Sequence, residues 1–107
     1  MQAYATAPWT ALGDPTRRAI FECLVERPQA VGELATQFTV SRPAVSQHLK
    51  VLKAAGLIMV RVDGARRMYG VDPNGIEALR NWLDGFWDET LSAFKQAAER
   101  EQHKMEN

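Results

Sequence analysis

Cysteine occurs once in the 107 residues, as Cys23, and histidine twice, as His48 and His103. A single thiol closes no internal disulfide and suits a reducing compartment. Two histidines and one cysteine, far apart along the chain, leave a three- or four-ligand transition-metal site without members, so no metal is expected. No apolar run approaches the roughly 18 residues of a membrane span. No N-terminal stretch has the form of a signal peptide, and the expected location is cytoplasmic, without membrane contact. Internal repeats and low-complexity segments are missing as well. No Ser/His/Asp set, paired-carboxylate pocket or glycine-rich phosphate loop can be assembled, so neither an enzyme nor a cofactor is expected. The length fits one domain over residues 1–107.

The chain also lacks net charge, with 13 basic and 13 acidic side chains. The balance hides a separation. Residues 41–71 hold six bases (Arg42, Lys50, Lys53, Arg61, Arg66, Arg67) and one acid, Asp63. From residue 72 onward there are four bases against eight acids. A basic middle beside an acidic tail favours a polyanion on one face and steers its approach.

The stretch that organises the chain lies in that basic middle, SRPAVSQHLKVLKAAGL at 41–57. Ser41 reads as an N-cap, Pro43 sits in the first turn, and Gly56 ends the run as a C′ residue. At about 100° per residue, Val45, Leu49 and Leu52 share one face. Pro43, Ser46, Gln47 and Lys50 share the other. An apolar stripe backed by hydroxyl, amide and ammonium groups, with no acid, has the form of a helix that reads a major groove. An ordinary amphipathic surface helix would share the pattern.

Residues 1–6 are expected to fray. A short helix over 8–12 follows, with Trp9 and Leu12 apolar. Asp14-Pro15 starts a second helix with an N-cap and proline, and Ala19, Ile20, Cys23 and Leu24 form its stripe. Pro28 ends it by Arg27. A third helix is expected over 31–38, with Val31, Leu34, Ala35 and Phe38 inward. Three residues then lead to the organising helix, which makes the pair a helix-turn-helix. Beyond Gly56 the period drops to 2: Ile58, Val60 and Val62 alternate, Asp63-Gly64 turns, and 66–71 returns, with Arg67, Tyr69 and Val71 on one side. This hairpin is a wing with Arg66 and Arg67 at its tip; those arginines fit a phosphate or minor-groove contact as well as a solvated turn. Asp72-Pro73 opens a last helix expected to reach about Arg100, with Gly85 midway. Ile76, Leu79, Leu83, Phe86, Trp87, Leu91, Phe94 and Ala98 form its apolar row, flanked by Trp82. That row exceeds what so small a domain covers, and the excess, with Trp9, reads as a dimer interface. Packing within its own domain is the alternative for the same row.

ALGDPTRRAIFECL, VGELATQFTVSRPAVSQHLKVLKAAGLI and the DGARRMY wing together resemble the ArsR-type winged helix-turn-helix transcriptional regulators. The resemblance covers residues 9–71, and the long last helix fits it. It implies a mainly α fold with a small β-hairpin wing and about five helices. The DNA-binding core would span 8–71 and a C-terminal dimerisation helix 72–100. It further implies a homodimeric repressor that reads an inverted-repeat operator in double-stranded DNA with helix 41–55 and the wing 58–71. Carried over, the DNA contacts are Arg42, Pro43, Ser46, Gln47, His48, Lys50, Arg66 and Arg67, with Gln47 suited to an adenine edge. For His48, packing and a phosphate contact stand equally. The dimer interface falls on Trp9, Leu79, Trp82, Leu83, Phe86, Trp87, Leu91 and Phe94. The cysteine pair of the metal-sensing relatives is missing from ELATQF, and the last helix lacks their aspartate-histidine and histidine-glutamate spacing. The resemblance is therefore to the non-metal-sensing subgroup, whose tryptophan-rich last helix LRNWLDGFWDETLSAF also matches. A small apolar effector fits the expected dimer seam. The competing reading is a winged-helix protein-interaction module that no longer binds DNA; the retained Gln47, Lys50, Arg66 and Arg67 argue against it.

Overall fold

The computed structural model describes residues 7–106, so the fraying expected of residues 1–6 lies outside the described residues. The order is α1 (Pro8–Ala11), α2 (Pro15–Glu26), α3 (Val31–Ala35), α4 (Arg42–Ala54), β1 (Ile58–Asp63), β2 (Arg66–Val71) and α5 (Pro73–Glu106). The chain divides into two units, one running to Glu77 and one from Ala78.

Helix starts in the first unit follow their local chemistry. The Asp14 carboxylate accepts from the Arg17 backbone N–H at 2.9 Å, with Pro15 at the first helical position of α2. Ser41 Oγ accepts from the Ala44 N–H at 3.3 Å to cap α4. Asp72 accepts from the Asn74 N–H at 3.0 Å at the head of α5. The exit of α4 is a Schellman motif. Gly56 takes a φ of 76°, its N–H reaches the Lys53 carbonyl at 3.0 Å, and the Leu57 N–H reaches the Leu52 carbonyl at 3.1 Å. Only a residue without Cβ adopts that φ at little cost, which is why the helix stops there.

The core of this unit gathers Ala11, Ile20, Phe21, Leu24, Leu34, Val45, Leu49, Leu52, Ala55, Leu57 and Ile58. Truncating a leucine as buried as Leu49 or Leu52 costs about 2–5 kcal/mol. The stripes expected of α2 and α4 are the buried ones, with Phe21 added to α2 and with Ala19 and Cys23 only half-buried.

Three local expectations are corrected. α3 stops at Ala35 and not at Phe38. Thr36 Oγ1 donates to the Glu33 carbonyl at 2.7 Å, Gln37 Nε2 donates to the same carbonyl at 3.1 Å, and the Gln37 N–H tightens onto the Leu34 carbonyl at 3.0 Å. Side chains thus take the acceptor that a continuing helix would use, and the turn to α4 spans six residues, 36–41, instead of three. The hairpin turn is Gly64-Ala65 and not Asp63-Gly64, because Asp63 still pairs with Arg66. A glycine with φ 62° followed by a residue at negative φ is the pattern of a type II′ turn. α5 continues past Arg100 to Glu106. Its last turn is made of good helix formers and carries His103 and Lys104 at the negative end of the helix dipole.

The wing is antiparallel, with Ile58 opposite Val71 and Val60 opposite Tyr69. Exposure rises along one face from Ile58 at 2% to Val62 at 70%, as the hairpin leaves the core. The outer edge of β2 is not bare. Gln29 bridges it, exchanging two backbone hydrogen bonds with Tyr69 at 2.9 Å each. The head of α5 packs on the α4 exit so closely that a Cβ on buried Gly75 would overlap the Gly56 carbonyl.

The second unit is the remainder of the single helix α5. The whole of α5, Pro73–Glu106, has 34 residues, which correspond to roughly 50 Å. Gly85 does not interrupt it, and the space around its missing Cβ is open. Along this stretch Trp82, Leu83, Phe86, Trp87, Leu91 and Phe94 are all exposed, Phe94 at 73%. Trp82 stacks on Phe86 with centroids 5.6 Å apart, and Phe86 meets Trp87 edge-on at 5.9 Å.

Candidate nucleic-acid interface

The burial of α4 divides its faces cleanly. Val45 and Leu52 are 0% exposed and Leu49 is 1% exposed. Arg42, Pro43, Ser46, Gln47 and Lys50 are all exposed on the outward side. Because α4 is pinned at its head by the Ser41 cap and at its foot by the Schellman motif, these groups stand on a rigid rod. Ser46 and Gln47 can donate and accept at base edges, and Arg42 and Lys50 carry charge for phosphates. His48 is half-buried. The Arg17 backbone N–H is the main reason that the Asp14 carboxyl lies below the ordinary aspartate range.

Arg66 and Arg67 stand on β2 directly after the turn, both exposed. Arg66 is engaged. Its guanidinium holds the Glu33 carboxylate of α3. Glu33 also accepts from Arg27 Nη1 at 3.3 Å and from the Ala30 N–H at 3.3 Å. The Ala30 N–H, then Arg27, hold the Glu33 carboxyl below the ordinary glutamate range. A groove of about 560 Å³ opens here, with Gly32, Glu33, Arg42, Arg66, Arg67 and Tyr69 on its walls. The Arg42 guanidinium lies over Gly32, where an added Cβ would sit 3.9 Å from it.

One polar hub ties the helical and wing elements together. The Gln29 side chain is 1% exposed. Its Nε2 donates to the Cys23 carbonyl at 3.0 Å, and its Oε1 accepts from Gln37 Nε2 at 2.7 Å. With the Tyr69 bridge, Gln29 therefore joins the end of α2, the turn before α4, and the wing. Cys23 Sγ lies 3.8 Å from Gln37 Oε1, and burial pushes its thiol upward, which suits a packed thiol rather than a reactive one.

Neither Gln29 nor Glu33 emerged from the sequence. No periodicity marks Gln29, which lies between elements. Glu33 did carry a signal, being the only acid between Arg27 and Val62. Among the described residues no group of three or more His, Cys, Asp or Glu side chains is placed to hold a metal. No helix among them is long and apolar enough to cross a membrane.

A helix-turn-helix whose second helix presents a basic, amide-bearing face, followed by a two-stranded wing with arginines at its tip, is a winged helix-turn-helix DNA-binding fold. Comparison with known proteins narrows the class. A helix-turn-helix domain family matches residues 12–61. The chain is 56% identical over 93 residues to the HTH-type transcriptional regulator Rv2034 of Mycobacterium tuberculosis, covering 87% of each chain. It is 33% identical over 76 residues to the transcriptional repressor SdpR of Bacillus subtilis, covering 71% of this chain and 84% of SdpR. Among solved structures, an ArsR-like transcriptional regulator from Rhodococcus sp. RHA1 superposes with a TM-score of 0.69 at 33% identity, over 84% of this chain and 88% of that one. The homodimeric winged helix-turn-helix DNA-binding domain Mb0332 from Mycobacterium bovis gives 0.59 at 28% identity, over 74% and 73%. The chain belongs to the ArsR family of winged helix-turn-helix transcriptional regulators. It is a DNA-binding regulator and not an enzyme.

Proposed function

We propose that the chain is a cytoplasmic homodimeric repressor that occupies an inverted-repeat operator, one α4 in each of two major-groove half-sites. The observation that carries this is the outward face of α4, where Pro43, Ser46, Gln47 and Lys50 stand exposed on a helix buried along its other side. Gln47 reads a base edge, and Ser46 flanks it. Arg42, Lys50 and Arg67 take backbone phosphates, and Arg66 joins them at the wing. His48, half-buried on α4, serves packing first. Two-fold pairing of the chain sets the half-sites about one helical turn apart.

Pairing runs through the aromatic row of α5. Trp82, Leu83, Phe86, Trp87, Leu91 and Phe94 are exposed, and so is Trp9 of α1 at 46%. Half-buried Leu79 belongs to the same row. An exposed aromatic row of this length on one helix is uncommon on a free monomer and common at a homodimer core. The homodimeric state named for Mb0332 and the repressor named in SdpR support the same reading.

Fluorescence anisotropy on DNA from upstream of the chain's own gene, titrated with salt, tests it. The expected result is tight binding that random competitor does not displace and that weakens steeply with salt. Weak, shallow, competitor-sensitive binding to that DNA and to a library of selected sites would turn the reading toward a protein-interaction module.

A further inference from the structure

Around Glu33 the structure gathers the donor set that a phosphate would take: two guanidinium groups and a backbone amide. Arg27 Nη1 stands 3.3 Å from one carboxylate oxygen; Arg66 Nη2 and the Ala30 N–H share the other. Glu33 is also the only acid on the groove that carries Arg42, Arg66 and Arg67. We propose that Glu33 is an internal stand-in for a DNA phosphate: Arg66 holds its carboxylate in the free protein and exchanges it for a backbone phosphate on the duplex. This rests on the DNA-binding reading of the wing and adds a regulator of its strength.

Three observations support exchange over a permanent brace. The side chains of Arg66 and Glu33 are 58% and 36% exposed, so water and a phosphate both reach the pair. Exposed pairs of this kind change an equilibrium by no more than about five-fold, which the dense charge of a DNA backbone can outcompete. The Glu33 carboxylate keeps Arg27 and the Ala30 N–H when Arg66 leaves, so no charge is stranded by the exchange. Arg67 has no such partner role at Glu33 and remains a phosphate contact throughout.

The consequence is a wing that is held against the helix-turn-helix in the free protein and whose contribution to DNA affinity is lowered by its own carboxylate. Removing that charge releases Arg66. Glu33→Gln keeps an oxygen for the Ala30 N–H and so leaves the start of α3 capped. It is expected to bind a random-sequence duplex about two- to five-fold more tightly, with a log–log salt slope steeper by roughly 0.9, one added phosphate contact.

The deciding comparison is the same change in an Arg66→Ala background, with melting temperatures confirming that all four proteins fold. Exchange predicts that the gain from Glu33→Gln falls by at least half when Arg66 is gone, and that the slope no longer steepens. An equal gain in both backgrounds makes Glu33 a general repulsive charge and overturns the exchange while leaving DNA binding intact. A loss of affinity in Glu33→Gln makes the pair a brace that helps binding, and overturns it too. If the unaltered protein binds no duplex at all, the underlying DNA reading falls, and the exchange with it.

Discussion

Replacing Gln29 with leucine tests whether one buried amide ties the end of α2 to the turn before α4, while the backbone bonds of residue 29 to Tyr69 of the wing are kept. The side chain is 1% exposed and makes two hydrogen bonds, to the Cys23 carbonyl at 3.0 Å and from Gln37 at 2.7 Å. Leucine fills nearly the same volume, so the cavity contribution is small and the polar loss dominates. Neither partner is orphaned. The Cys23 carbonyl still accepts the Arg27 N–H at 3.4 Å, and Gln37 still donates to the Glu33 carbonyl at 3.1 Å. The cost is then the net worth of two hydrogen bonds, about 1–2 kcal/mol, and not the larger penalty of a stranded group. For a unit of this size each kcal/mol moves the melting midpoint by roughly 4–8 °C, so Gln29→Leu should melt roughly 4–16 °C lower. Gln29→Ala should lose about 1 kcal/mol more, through the void it leaves. Circular-dichroism melts at one fixed protein concentration measure both, since any self-association makes the midpoint concentration-dependent. A double-mutant cycle with Gln37→Ala should show coupling of about 1 kcal/mol. A Gln29→Leu midpoint within a degree or two of the unaltered protein, or strictly additive losses with Gln37→Ala, would refute the hub.

Further outcomes follow from other sites. Gln47→Ala should cost roughly 1–3 kcal/mol on the specific operator and relax its sequence preference, whereas Arg67→Ala should weaken specific and random DNA alike and flatten the salt slope by about one; identical behaviour of the two variants would erase the division between reading helix and anchoring wing. Asp14 is held below the ordinary aspartate range chiefly by the Arg17 N–H, so its contribution to stability is present above the unfolded aspartate value and lost as pH falls through the lower folded one; Asp14→Asn should flatten the acid limb of a plot of midpoint against pH, and an unchanged limb would show the cap to be idle. Gly75→Ala would drive a methyl group into the Gly56 carbonyl and should lower stability by at least the 1–3 kcal/mol or so of an overpacked core, read by urea denaturation. Phe94, 73% exposed on α5, should on replacement by glutamate convert a dimer to a monomer in light scattering, and a variant of unchanged mass would move the pairing surface elsewhere.

Signals that live within a few residues were readable in the sequence, and those that depend on distant partners were not. Asp14-Pro15, Ser41 with Pro43, and Asp72-Pro73 each announce a helix start, because the cap bonds to amides two or three residues ahead. Gly56 announces the α4 exit for an equally local reason, its positive φ. The stripe of Val45, Leu49 and Leu52 follows from helical period alone. The end of α3 escaped because Phe38 extends the apolar spacing that its neighbours set up, while Thr36 and Gln37 take the Glu33 carbonyl and stop the helix. The turn moved by one residue because Asp63-Gly64 is a strong hairpin signal in isolation, yet strand pairing carries on through Asp63 to Arg66. The largest omission has the same origin on a longer scale. Glu33 and Arg66 are 33 residues apart in the chain, and Gln29 meets Tyr69 only once the wing has folded back. Charge counting singled out the basic middle of the chain but could not show that one of its arginines already holds a carboxylate. A face that is basic by composition therefore presents fewer free cations than its sequence promises. How many of them DNA recruits is set by what each arginine must release.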